Sequence, residues 1–230
     1  MAGRDPRRGL FVVLEGPDGS GKSLQARLLV ERLRERGLTV THSREPGGTE
    51  LGEQVRHIVN DPGPTLRGPK ADVMLYTAAR AQHVDEVIEP ALGRGEVVVC
   101  DRYYTSTMAY QGYGSGMDRE LLRRIQAWAT GGLDPDLVVL LDVTPQTGLG
   151  RRAAGSADEL TRWEDESRFD LAFHTRGRAG SLEMAAADPD RWVVVDGSGS
   201  VGDVAEEVGR AVDALLLPAE RRDATGDGAR

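Results

Sequence analysis

Gly16-Pro17-Asp18-Gly19-Ser20-Gly21-Lys22-Ser23 decides the reading of this chain. Its spacing, G-x-x-x-x-G-K-S, is that of a phosphate-binding loop. The residues before it, Leu10-Phe11-Val12-Val13-Leu14, form a continuous apolar run suited to a buried strand. After it, Leu24, Leu28, Leu29 and Leu33 fall on one stripe at helical spacing. Strand, glycine-rich turn and helix together are the context this loop needs. There the backbone N–H groups of the turn and of the helix N-terminus point at phosphate oxygens. Lys22 would neutralise the β- and γ-phosphates of a nucleotide, and the Ser23 hydroxyl would ligate Mg2+.

The 230 residues suit one sizeable α/β domain, and 39% hydrophobic with 29% charged residues suits a globular one. No apolar run approaches a membrane span. Residues 1–9 read as a flexible N-terminus without the apolar segment of a signal peptide. A single cysteine, Cys100, excludes an intrachain disulfide framework. These features predict a cytoplasmic protein. A net charge of −8 argues against a general nucleic-acid binder. Anionic ligands would depend on local arginine clusters.

Further strands are predicted at 38–43, 96–100, 137–143 and 192–196. Thr49 is placed to cap a helix running through Ile58. Pro69–Leu92 reads as a helix with proline in its first turn. Asp118–Thr130 reads as another, ended by Gly131-Gly132. Arg151 to about Ala187 is highly charged and mostly helical, and Val201–Leu217 closes the domain. Residues 218–230 read as a disordered tail. The β-branched strands lack polar alternation, which predicts a five-stranded parallel sheet with helices on both faces across 10–217. Ligands in such folds gather at the carboxyl ends of the strands. The phosphate loop, Arg44-Glu45-Pro46, Asp101-Arg102-Tyr103 and Asp142 all follow strands and should converge on one cleft.

No Asn-Lys-x-Asp guanine-reading motif occurs, and the chain is short for a motor, so a small kinase is favoured. Asp101 would reach Mg2+ through water, and the Arg102 guanidinium would hold a second phosphate. Tyr76 and Arg80, four apart, share a helix face. They suit either a stacking and hydrogen-bonding pair for a nucleobase or a core tyrosine beside a solvated arginine. Asp142 suits either a metal ligand or a strand-end turn.

Several segments in order resemble the thymidylate kinase family. Phe11 to Ser23 resembles that family's opening, and Arg44-Glu45-Pro46-Gly47-Gly48-Thr49 is similar to a signature of its bacterial members. Leu75-Tyr76-Thr77-Ala78-Ala79-Arg80-Ala81-Gln82-His83 resembles the base-binding helix. Asp101-Arg102-Tyr103-Tyr104-Thr105-Ser106-Thr107-Met108-Ala109-Tyr110-Gln111-Gly112 resembles D-R-Y-x-x-S-x-x-A-Y-Q-G. The resemblance runs from about residue 10 to about 212, and it implies a P-loop nucleotide kinase with a helical lid over about 150–178.

It further implies ATP as donor, dTMP as acceptor, Mg2+ as cofactor and a homodimer. Gly16 to Ser23 would hold ATP. Asp18 would contact the sugar 3′-OH, Arg102 would grip the dTMP phosphate with Arg44 nearby, and Tyr76 would stack on thymine. Arg80 would donate to a thymine carbonyl, Ser106 and Gln111 would lie at the same nucleotide, and Tyr110 would crowd the 2′ position. Lys22, Asp101 and Arg102 would serve catalysis with lid arginines chosen from Arg151, Arg152 and Arg162, Arg152 and Arg162 foremost. The alternatives are a kinase for another pyrimidine or modified deoxynucleotide, or a nucleotide-binding protein with an impaired lid. Thr161, Gly177 and Ser181 depart from the family pattern, and the last two predict a looser returning segment.

Overall fold

A computed structural model describes residues 8–60, 68–153 and 170–223. Five parallel strands, β1 (Phe11–Glu15), β2 (Val40–Arg44), β3 (Val97–Asp101), β4 (Leu137–Asp142) and β5 (Trp192–Asp196), lie in the order β2-β3-β1-β4-β5. The chain leaves β3 on one side of β1 and re-enters as β4 on the other. The loops after β1, β3 and β4 therefore open at one carboxyl edge, the place where such sheets hold ligands.

Alternation along β1 divides the core. Val12 and Leu14 pack with α1 (Lys22–Glu35) and with Val204, Val208 and Val212 of the closing helix. Phe11 and Val13 face the opposite layer, with Val84, Ile88, Leu92, Tyr103 and Ala185. Both faces of the strand are buried, which is why it reads as an unbroken apolar run.

The remaining helices are α2 (Glu50–Asn60), α3 (Pro69–His83), α4 (Glu89–Gly93), α5 (Tyr104–Thr107), α6 (Arg119–Ala129), α7 (Pro145–Ala153), α8 (Leu171–Ala187) and α9 (Val201–Asp223). A π-helical turn, Val84–Ile88, joins α3 to α4, so the expected helix from Pro69 is one continuous run. Thr49 Oγ1 accepts from Gly52 N at 2.9 Å, the expected cap of α2.

Four expectations are corrected. Residues 8 and 9 are held, by Arg8 to Asp136 at 3.3 Å and Gly9 N to Leu92 O at 2.8 Å; the first seven residues lie outside the described ones. α9 runs through Asp223, past the expected end at Leu217. Pro218 loses one backbone bond there, but Ala219, Glu220, Arg221 and Arg222 are strong helix formers. The segment Tyr104–Gly114, for which no element was expected, is helical, its second part a π-helix over Met108–Gly114. α7 begins at Pro145, before the expected charged helix, because Thr144 caps it through Thr147 N at 3.2 Å and proline suits its first turn.

Candidate active site

The phosphate loop is pinned at both ends. Gly16 has φ 146° and Gly19 φ 73°, conformations that glycine adopts without a side-chain penalty. A Cβ on Gly19 would lie 1.9 Å from the Gly148 carbonyl oxygen, so the loop touches α7 backbone to backbone. Lys22 is not an exposed loop lysine as a ligand loop would suggest. It is 6% exposed and donates from Nζ to Gly16 O at 3.0 Å and Pro17 O at 2.8 Å. Burial first, then the Arg102 charge, lowers its ammonium to about 8.

Ser23 and Asp101 meet as expected, Ser23 Oγ donating to Asp101 Oδ2 at 2.5 Å. Asp101 Oδ1 is buried and has no hydrogen-bond partner among the described residues. A hydroxyl and a carboxylate oxygen, with a second carboxylate oxygen left over, are the hard donors that suit Mg2+. Asp142 does not join them: Arg178 on α8 forks onto both its oxygens at 2.7 Å.

Arg102 sits at φ 72°, a left-handed backbone rare outside glycine and found mostly where a site demands it. Its N–H donates to Leu14 O at 3.0 Å, which ties the turn to β1. The guanidinium reaches Asp18 Oδ1 and Ser106 Oγ, the latter at 3.1 Å, and lies 5.4 Å from the Tyr110 ring centroid. Tyr110 in turn stacks on Phe173 of α8 at 5.9 Å.

Sequence reasoning missed Glu15, the organiser of this turn. Its carboxylate, 4% exposed, accepts from Tyr103 N at 3.2 Å, Thr105 Oγ1 at 2.6 Å and Ser106 Oγ at 2.7 Å. A glutamate closing an otherwise apolar strand was the available signal. Ser106, expected at the substrate, is thus a buried relay between Glu15 and Arg102.

On the α2–α3 side, Tyr76 is half-buried beside Val55, Val59 and Ala79. Arg80, expected to donate to a base carbonyl, is buried in a polar network: Nε donates to Glu45 at 2.7 Å, and the rest of the group meets Thr107, Gln126 and Tyr103 O. Gln111 is buried on the π-helix. Arg44 pairs with Glu53 at 3.2 Å on the surface. A second missed residue, Arg56 on α2, donates to Pro46 O at 3.3 Å. Burial first, then Arg44, lowers its pKa, and Asp101 and Arg102 also act on it. Arg56 is thus within electrostatic reach of Arg44, Asp101 and Arg102. The i,i+3 spacing of Glu53 and Arg56 on an acidic helix hid the second as one half of a surface pair.

Of the lid expected over about 150–178, the structure describes residues 150–153 and 170–178. Arg151 on α7 donates to Gly197 O at 2.7 Å, beside the loop after β5. Arg152 is on the α7 backbone, but its side chain lies outside the described residues, as do Thr161 and Arg162. The returning helix α8 is continuous through both departures. Gly177 leaves ordinary contact room toward Ala109 O and the Tyr110 ring, and Ser181 Oγ bonds Gly177 O at 3.2 Å. At Gly180 a Cβ would lie 2.2 Å from Tyr113, so α8 packs closely on the Met108–Gly114 segment there. Arg176 holds Gly114 O at 2.7 Å.

Among the described residues, no helix is long and apolar enough to cross a membrane. A family model described as thymidylate kinase matches residues 14–208. A thymidylate kinase of Roseiflexus sp. (strain RS-1) is 46% identical over 219 residues, covering 92% of this chain and 97% of that protein. One of Deinococcus radiodurans is 48% identical over 206 residues, 89% of this chain and 97% of that protein. One of Thermomicrobium roseum is 47% identical over 211 residues, 92% and 98%.

Proposed function

The chain belongs to the thymidylate kinase family, and from that premise we propose that it transfers the γ-phosphoryl group of ATP to dTMP, giving dTDP and ADP. The observation that carries this reading is the junction of two anion sites. Arg102 of the β3 turn pairs with Asp18 of the phosphate loop, and Ser23, next to Lys22 in that loop, bonds Asp101 at the end of β3.

Phosphoryl transfer asks little covalent chemistry of a protein, and most of the catalysis is alignment and charge neutralisation. The loop amides and Lys22 hold the donor phosphates. Arg102, with Arg44 and Arg56 adding positive charge, holds the acceptor phosphate, whose oxygen is the nucleophile. Asp18 accepts from the sugar 3′-hydroxyl while orienting Arg102. Ser23 and Asp101 would hold Mg2+, which when bound neutralises charge on the β- and γ-phosphates. Tyr76 stacks on the base, and Arg80 and Gln111 face its polar edge. Arg152 and Arg162 of the lid add positive charge to the transferred group.

A coupled assay of ADP release with and without dTMP tests the reading. Fast release only when dTMP is present, with one dTDP formed per ADP, is expected. Release that ignores dTMP would point to a nucleotide hydrolase instead.

Tyr110 has two separable tasks. Its ring covers Arg102, and its hydroxyl end faces the sugar's 2′ position in this reading. Tyr110→Phe keeps the ring, so kcat for dTMP should hold within about 3-fold while discrimination against the ribose analogue weakens. Tyr110→Ala also uncovers Arg102, and kcat/KM for dTMP should fall about 10-fold or more as the cation–π contact goes. Equal dTMP-to-ribothymidine-monophosphate ratios in wild type and both variants would remove Tyr110 from the sugar site.

We also propose a homodimer. The packed helices α2, α3 and α6 expose Leu51, Ile58, Met74, Leu121 and Trp128, the last 84% exposed. A second copy covering that face would bury them. Light scattering should give twice the chain mass, and Trp128→Glu should shift it toward the monomer.

A further inference from the structure

Behind the base-facing helix lies a polar chain that phosphate chemistry does not use. Ser43 Oγ is 2.6 Å from His83 Nε2. His83 Nδ1 is 3.1 Å from Glu45 Oε1, and Glu45 Oε2 accepts from Arg80 Nε at 2.7 Å. The His83, Glu45 and Arg80 side chains are 0%, 4% and 3% exposed. A carboxylate only accepts, so Nδ1 of His83 donates to it; in the neutral ring Nε2 then accepts from the Ser43 hydroxyl. Ser43 and Glu45 belong to β2 and its turn, His83 and Arg80 to α3. The chain thus fixes the helix against the sheet.

The guanidinium is held by its inner nitrogen. Nη1 donates to Thr107 Oγ1 at 3.3 Å and to Gln126 Oε1, and Nη2 donates to Tyr103 O at 3.3 Å. Gln126 is itself oriented by Thr77, to whose Oγ1 its Nε2 donates at 3.0 Å. Four of the five guanidinium N–H groups have acceptors among the described residues, and the second Nη2 N–H has none. Thr107 follows Ser106, the partner of Arg102, so the Arg80 tip lies against the segment that carries the acceptor-side residues.

A buried ion pair is seldom a gain over well-packed apolar side chains. What it supplies is direction: with Nε on the carboxylate and three outer N–H groups on Thr107, Gln126 and Tyr103 O, the guanidinium is fixed in one orientation and a single Nη2 N–H remains. We propose that Glu45, oriented by His83 and Ser43, is a positioning residue that aims Arg80 and thereby sets the choice between pyrimidines. This rests on the reading of Arg80 as the donor to the base carbonyl. A base with a 4-carbonyl accepts the remaining N–H. A base with a 4-amino group presents a donor to a donor and is rejected. The discrimination is then only as sharp as the orientation of the guanidinium, and that orientation belongs to Glu45.

The test compares kcat/KM for dTMP and dCMP in the full-length protein. Arg80→Lys should lower the dTMP-to-dCMP ratio, which checks the underlying reading. Glu45→Gln should lower the same ratio about 10-fold, through a higher KM for dTMP, with KM for ATP unchanged. The double variant should add little to either single one, because both act on one contact. A ratio that moves in Arg80→Lys but stays in Glu45→Gln, with kcat falling equally for both substrates, would make Glu45 merely structural and overturn the proposal. A ratio unmoved by Arg80→Lys would overturn the base reading and the proposal with it. If Glu45→Gln does not fold, Ser43→Ala carries the test, since it frees His83 and leaves the ion pair. A ratio lowered about 3-fold supports the proposal, and an unchanged ratio overturns it.

Discussion

Lys22→Met should reduce dTDP formation by at least about 10²–10³-fold in kcat, the scale seen when one preorganised charge-stabilising donor is removed. Methionine keeps the volume of the stem in a position that is nearly closed to solvent, so the loss reports the cation and not a cavity. The variant also loses the two bonds from Nζ to Gly16 O and Pro17 O. In the proposed reading those bonds give way to phosphate oxygens on nucleotide binding, so the fold does not depend on them and far-UV circular dichroism should be unchanged. A second measurement follows from the ammonium's position near pH 8. Above that pH the ammonium loses its proton, and phosphates bound beside it would favour the proton's return. ATP binding between pH 8 and 9 should therefore take up protons, seen as a buffer-dependent heat in calorimetry, and Lys22→Met should abolish the uptake. The sign for stability is the reverse of a paired lysine. The unfolded chain keeps this proton up to about 10.5, so burial costs stability in full below pH 8, and the cost is relieved as pH rises between the two values.

Arg102→Lys should lower kcat/KM for dTMP by about 100-fold while moving KM for ATP little. Charge is retained, so what is lost is the planar fork. One ammonium cannot meet Asp18, Ser106 and a phosphate while lying over Tyr110, as the guanidinium does. Steady-state kinetics with each substrate varied in turn reads the split. Wild-type kcat/KM in the lysine variant would show that the acceptor phosphate is held elsewhere, with Arg56 the next residue to replace.

How much of this was legible beforehand depended on the kind of signal. The phosphate loop, the apolar strands and the D-R-Y turn are local in sequence, and they led directly to Lys22, Ser23, Asp101 and Arg102. The helix from Tyr104 to Gly114 was not legible. Its serine, threonine and glycine residues are weak helix formers, and a π turn breaks the 3.6-residue period on which the expectation rests. Glu15 and Glu45 were invisible as organisers because their partners lie tens of residues away and only the packed sheet brings them together. Spacing places Arg80 beside Tyr76 and says nothing of the carboxylate behind it. Pro218 marked an expected helix end that the residues after it override.

The meeting of Gly19 with Gly148 has a bearing on anyone who would build chimaeras from this scaffold. Neither backbone tolerates even one added carbon, since a Cβ on Gly148 would sit 2.2 Å from Asp18 O. The phosphate loop and α7 are therefore not interchangeable modules. An α7 grafted from another kinase would carry its own residue at position 148, and anything larger than glycine there would push the phosphate loop out of register. The two segments must be transplanted as a pair, though about 130 residues of chain separate them.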